Sequence, residues 1–218
     1  MGTFVRAVDV TCEGVDARIN FEVLPGEIAV VITPKDEINA LLTRLLIGIQ
    51  APPTGSVTLF DSNLAGKSSR EILDIRRRLG VVYSTGGLVS NLKVWENLTL
   101  PLYFHTASSA EEIEARGLAV LKRLGYSGRL MELPGLLSVY QKKLIGFGRA
   151  MLCAPELLIY ESPLQGLNRD EREHFVNIAR EFHYEQTDRA SLFITSTPDP
   201  AEYLPNARII ALANGRKS

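Results

Sequence analysis

A mostly parallel α/β fold with an added antiparallel β layer is predicted from three observations. Largely apolar runs of strand length recur at residues 28–32, 157–160 and 191–195, with helical segments between them, as expected of buried parallel strands. Two more strand-like runs, 4–10 and 17–23, come before the first helical segment and so pair with each other before the alternation begins. From residue 85 to about 150 strand patterns give way to helical ones, which predicts a helical subdomain inserted in a single domain spanning 1–218.

Each element has its own local signal. Phe4 to Val10 and Ala17 to Val23 alternate or cluster apolar residues, and Pro25-Gly26 closes the second run before the buried strand Ile28 to Ile32. A helix over 37–47 follows and ends at Gly48. Pro52, Pro53 and Gly55 mark the turn into a strand at 56–60, and Ser69 is placed to cap a helix running through Arg78. Val81 to Tyr83 reads as a short strand. Helices are then expected at 94–103, 110–124 and 141–153. The strands 157–160 and 191–195 flank a long polar helix, 169–184, and a strand at 209–212 closes the series.

Bulk properties exclude several classes. With 218 residues and 45% hydrophobic residues the chain buries a substantial core and is not expected to be disordered. A formal net charge of −1 provides no basic field, so nucleic acid is not an expected partner. Cys12 and Cys153 lack C-x-x-C spacing, which argues against a structural zinc site or a disulfide framework and fits the cytoplasm. No secretory leader is expected, and no apolar run approaches the roughly 20 residues that cross a bilayer.

The segment from Pro25 to Gly48 has the strand, turn and helix order of a P-loop. That loop needs G-x-x-x-x-G-K-[ST], because glycines let backbone N–H groups wrap phosphates, lysine neutralises charge and the hydroxyl holds magnesium. The turn here reads Thr33, Pro34, Lys35, Asp36, Glu37, Ile38, Asn39, Ala40, Leu41. Three other blocks follow in order: Leu137-Ser138-Val139-Tyr140-Gln141 with Gly148-Arg149-Ala150, then Pro155 to Pro163, then Gly166-Leu167-Asn168. Together the four blocks resemble the nucleotide-binding domain of ATP-binding cassette (ABC) transporters, with the P-loop unit, the LSGGQ signature, the Walker B strand and the D-loop each in place. The fold this implies is the P-loop NTPase-like α/β fold of ABC ATPases.

Carried over residue by residue, the resemblance implies that scaffold positions are kept and chemical ones are not. The P-loop lysine position is Asn39 and the hydroxyl positions are Ala40 and Leu41, while Asp36 and Glu37 oppose a polyanion at the helix N-terminus. Ile38 and Leu41 are expected to put apolar bulk where ligand and metal would sit. Lys35 reads as an exposed loop lysine. The magnesium-side aspartate of Walker B is Glu161, and the general-base glutamate is Ser162, whose hydroxyl cannot polarise water near neutral pH. The Q-loop glutamine is Ser84, the switch histidine is Ser196, the D-loop aspartate is Asn168, and the adenine-stacking aromatic falls nearest Cys12. Ser138 and Gln141 persist in the signature, with Val139 and Tyr140 at its glycines. None of His105, His174 or His183 falls at the switch position, and all three are expected to face solvent. These substitutions predict a non-hydrolysing subunit that needs no cofactor. Two alternatives stand beside it: an ATP-binding subunit with residual activity, using Glu161 for magnesium and Ser138 in a composite site, and a scaffold unrelated to transport.

The stretch 81–104 is similar to the segment after the Q-loop in importer-type and lipid-trafficking (Mla-type) cassettes, where a cleft between lobes receives a helix of the permease. Gly86, Leu88 and Asn91 are the candidate docking residues, and Trp95 fits the lobe's core at helical spacing with Leu98 and Leu102. The resemblance thus implies a cytoplasmic chain peripheral to the membrane. Its expected partners are a membrane permease and either a second, active cassette or another copy of itself.

Overall fold

The computed structural model describes residues 2–105 and 108–212, except the His105 side chain. Strands β1 (Val5–Cys12) and β2 (Val15–Val23) form an antiparallel hairpin with Val5 opposite Val23. Then come β3 (Ile28–Ile32), α1 (Asp36–Leu46), β4 (Ser56–Leu59), β5 (Ser62–Asn63), α2 (Ser69–Arg76) and β6 (Leu79–Val82). Helices α3 (Val94–His105), α4 (Ala110–Arg123) and α5 (Val139–Leu152) follow, the last preceded by a single 3₁₀ turn at Pro134–Leu136. The chain returns through β7 (Leu157–Glu161), α6 (Arg169–Tyr184), β8 (Ala190–Thr195), α7 (Asp199–Tyr203) and β9 (Arg208–Ala211). No helix among the described residues is long and apolar enough to cross a membrane.

Two sheets result. One is antiparallel with order β2-β1-β4-β5, and the other is parallel with order β6-β7-β8-β3-β9. Residues of β7 and β8 are buried throughout, and alternate side chains feed different layers. Ala29, Val31, Ile159, Leu192 and Ile194 face α1 and the antiparallel sheet. Val30, Leu158, Tyr160 and Phe193 face α5 and α6, with Tyr160 stacked on Phe193 at 4.4 Å between ring centroids. Each such side chain contributes about 1.5–3 kcal/mol through burial. A third apolar cluster, centred on Val94, Leu98, Leu121 and Ile145, joins α3, α4 and α5. Because α5 serves both the second and third clusters, it ties the helices of 94–152 to the parallel sheet.

Several boundaries differ from the sequence reading for local reasons. Helix α5 starts at Val139 rather than 141, because Ser138 caps it and Gln141 reaches back to complete a capping box. The same device starts α2 at Ser68/Glu71, α4 at Ser109/Glu112 and α6 at Asn168/Glu171. Helix α1 has no side-chain cap and opens directly on Asp36 and Glu37. Strand β5 and helix α7 are too short to leave a periodic signal.

Candidate functional site

Parallel pairing of β7, β8 and β3 sets their C-terminal ends side by side, where open α/β sheets collect functional groups. Thr33, Glu161, Ser162 and Ser196 are brought together there with the start of α1. The Thr33 amide donates to the Thr195 carbonyl at 2.7 Å, and its hydroxyl donates to Asn39 Oδ1. Asn39 is fully buried and donates through Nδ2 to Ser162 Oγ at 2.7 Å. Asp36 gathers the rim: it accepts from the Ser196 hydroxyl, from Gln165 Nε2 at 2.9 Å and, weakly, from Asn39 Nδ2 at 3.4 Å. Its carboxylate also sits at the positive end of α1, where a negative charge is favoured.

One strand over, Glu161 ends β7 as a buried carboxylate and accepts from Ser84 Oγ at 2.9 Å. Ser162 follows in a left-handed conformation, with φ of 42°, and donates its amide to the Ile194 carbonyl at 2.8 Å. Its own carbonyl and that of Pro163 accept from Lys143 Nζ at 2.8 and 2.9 Å. Lys143 has no exposed surface, and burial pushes its pKa down to about 8 against the raising influence of Glu161. No motif pointed to Lys143. It lies on the inward face of α5 with Phe147 and Ala150, and its partners are backbone carbonyls 19 and 20 positions away.

The other candidate positions are distributed more widely. Pro34 and Lys35 form the short turn before α1, where Lys35 is exposed and Pro34 half-buried. Ile38 turns away from the site and reaches the β1–β2 hairpin, within 3.2 Å of where a Cβ on Gly14 would lie. Leu41 packs against the same core, so neither residue supplies bulk over the sheet edge, contrary to expectation; Ala40 is half-buried beside them. Helical periodicity decides this, since positions 38, 41, 42 and 45 share the face that meets the hairpin. Cys12 is buried in that core as well. The side chains of Ser138 and Gln141 are engaged in the capping box of their own helix, and Val139 stands exposed on its first turn. Tyr140 contacts His174 Nδ1 through its hydroxyl, and burial raises the phenol pKa to about 12. Asn168 caps α6. His174 is exposed on α6, as expected, but His183 is buried and bonded to Ser191 Oγ at 3.1 Å. The expectation for the His105 side chain lies outside the described residues.

A second concavity, of about 490 Å³, lies between the parallel sheet and the helices of 94–152. Ile47, Ile49, Leu79, Pro101, Leu102 and Leu152 supply its apolar wall. Gly86, Leu88 and Asn91 do not line it. Gly86 is buried at φ of 80°, and any Cβ there would run into the Lys142 carbonyl on α5, so the residue serves close backbone packing rather than contact with a partner. Leu88 packs into the third apolar cluster, and Asn91 alone of the three is exposed. The segment is held by Asn97, which accepts from the Val89 amide at 2.7 Å and donates to the carbonyls of Val89 and Leu92 at 3.0 and 2.9 Å. The sequence offers no sign of this role for Asn97, because its bonds run to backbone groups that carry no sequence signal.

A parallel sheet carrying a strand–turn–helix unit on β3, an antiparallel layer and inserted helices is the architecture of an ATP-binding cassette. The family profile described as ABC transporter matches residues 18–165, more than half of the chain, and the chain belongs to that family. It is 24% identical over 188 residues to the probable ribonucleotide transport ATP-binding protein mkl of Mycobacterium leprae (strain TN), covering 86% of this chain and 54% of that protein. It is 29% identical over 163 residues to the methionine import ATP-binding protein MetN 1 of Rhodococcus jostii (strain RHA1), covering 75% and 48%. The chain thus spans about half the length of these curated relatives. The dimeric ATP-binding cassette MJ0796 bound to ADP and Pi shares the fold with a TM-score of 0.85 at 23% identity, over 97% of this chain and 95% of that one.

Proposed function

We propose that this chain is the cassette subunit of a membrane transport complex, docked on a permease, and that it works without hydrolysing or tightly binding ATP. The observation that carries the reading is the closure of the sheet edge by the chain's own side chains. Asn39, at the lysine position, spends both ends of its amide on Thr33 and Ser162. Asp36 places the chain's own anion at the N-terminus of α1, tied to Ser196 and Gln165, where a phosphate would need the same dipole. Ser162 accepts a hydrogen bond where hydrolysis needs a base. Lys143, the buried ammonium of this region, donates to two backbone carbonyls. These residues do not fit a magnesium-bound triphosphate.

The family, and relatives that serve import systems, support docking on a membrane partner at the cytoplasmic face, with a second cassette as companion. In such an assembly the chain would hold or transmit a conformation set elsewhere. Calorimetric titration of the purified chain with Mg-ATP tests the nucleotide side of the proposal: no saturable heat is expected up to about 1 mM. A micromolar dissociation constant would overturn it and favour an ATP-binding subunit with residual activity.

A further inference from the structure

A buried polar cluster sits at the other end of β8 from the candidate site. His183, near the end of α6, is 3% exposed, and Arg189, in the turn that leads into β8, is 2% exposed. His183 Nδ1 lies 3.1 Å from the Ser191 hydroxyl on β8, and its ring meets Tyr184 edge-on at 4.9 Å between centroids. The Gly26 backbone faces the ring from the β2–β3 turn and favours its charged form. Burial and the Arg189 guanidinium oppose that form, burial most strongly, and hold the imidazole pKa below the usual 6.5. On the sheet side, Ser191 faces the Tyr160 hydroxyl of β7, which burial keeps protonated. Arg189 donates to the Pro155 and Phe182 carbonyls and stacks over the Phe182 ring at 3.7 Å. Glu185, the carboxylate paired at this corner, already serves two guanidiniums, those of Arg189 and Arg123. A neutral imidazole fits this place, and an imidazolium has no carboxylate left to meet it.

We propose that His183 is a proton-operated latch: while neutral it fastens the end of α6 and the 185–189 turn to Ser191 and the β2–β3 turn, and its protonation releases them. Backbone bonds define the piece that opens. Gly26 donates its amide to the Asp188 carbonyl at 3.0 Å, and Ser191 donates to the Glu27 carbonyl at 2.9 Å. A Cβ on Gly26 would meet the Thr187 carbonyl at 2.7 Å, so the two turns touch backbone to backbone. A proton on His183 sets a second cation beside Arg189 inside the core, and opening the corner to water relieves that cost. The closed corner binds the proton less well than the open one, so closure is fully present above about pH 6.5 and is lost as pH falls below it. The latch governs how firmly α6 is held, and it is independent of how the motif-bearing edge treats nucleotide.

Hydrogen exchange of the full chain at pH 7.5 and 5.0, corrected for the intrinsic pH dependence of amide exchange, tests the latch. Relative to the Tyr160 amide in β7, the Gly26 and Arg189 amides should lose about tenfold in protection at pH 5.0, as a difference of one pKa unit between closed and open forms implies. His183→Gln cannot take up the proton and should show the same relative protection at both pH values, its melting temperature showing that it is folded. In the unaltered chain, the His183 ring followed by NMR should titrate below 6.5. Unchanged relative protection between the two pH values, or a His183 ring that titrates at 6.5 or above, would overturn the latch. An equal loss of protection in His183→Gln would assign the opening to another group and overturn it as well.

Discussion

The C-terminal edge of the parallel sheet and the cleft beside α5 both gather polar side chains, yet they treat them in opposite ways. At the edge, hydroxyls, an amide and carboxylates bond to one another: Thr33 with Asn39, Asn39 with Ser162, Ser84 with Glu161, Ser196 with Asp36. Around the cleft, Arg76, Arg116 and Arg149 donate to backbone carbonyls, and no carboxylate is among the lining residues. A buried polar group satisfied within the chain makes no demand on a ligand. One held by a carbonyl alone still does. The polar groups at the motif-bearing edge are met by side chains, whereas the arginines around the cleft are met by backbone carbonyls.

The largest expected effect comes from the loop packed on α5. Gly86→Asp should destabilise the fold by about 3 kcal/mol or more, through a left-handed backbone and collision with the Lys142 carbonyl. Urea denaturation would show it, and a change below about 1 kcal/mol would mean that the loop lifts freely from α5. Next, Asn39→Leu should cost about 2 kcal/mol, because Thr33 and Ser162 keep buried hydroxyls without their partner. A neutral result would show that the edge is not closed by these bonds. By contrast, Arg116→Gln in the cleft should leave thermal stability nearly unchanged, within about 0.5 kcal/mol, since its charge has no ion-pair partner among the described residues.

Lys143 sharpens the contrast through pH. Its folded pKa, about 8, lies below the usual 10.5, so between these values the unfolded chain binds more protons than the folded one. This residue's contribution to stability should therefore be fully present above pH 10.5 and be lost as pH falls through about 8. The stability difference between wild type and Lys143→Met, measured by urea titration at pH 7, 8, 9 and 10, should shift in favour of wild type with rising pH. A flat difference would indicate that the ammonium is hydrated. The smallest effect is expected for Asn39→Lys, which should produce no saturable Mg-ATP heat, because Asp36 still holds the helix N-terminus and glycines are still missing from the turn.

The sequence by itself determined the layers, because apolar runs of period two and helical runs of period 3.6 report which faces must leave water. It also determined the order of the cassette blocks and which residue types stand at each motif position, since those are properties of spacing. It did not determine where those side chains would point. Ile38 went to the hairpin core because tertiary packing chose its face of α1, and Gly86 went to the packing of α5 because backbone proximity cannot be seen in a linear code. Lys143, Asn97 and the placing of Arg76, Arg116 and Arg149 around one cleft come from contacts across 19, 8, and 29 to 63 positions respectively, where no local pattern operates. Local propensity and burial act through neighbours in the chain, but the pairing of polar groups acts through neighbours in space, and only the folded structure supplies those.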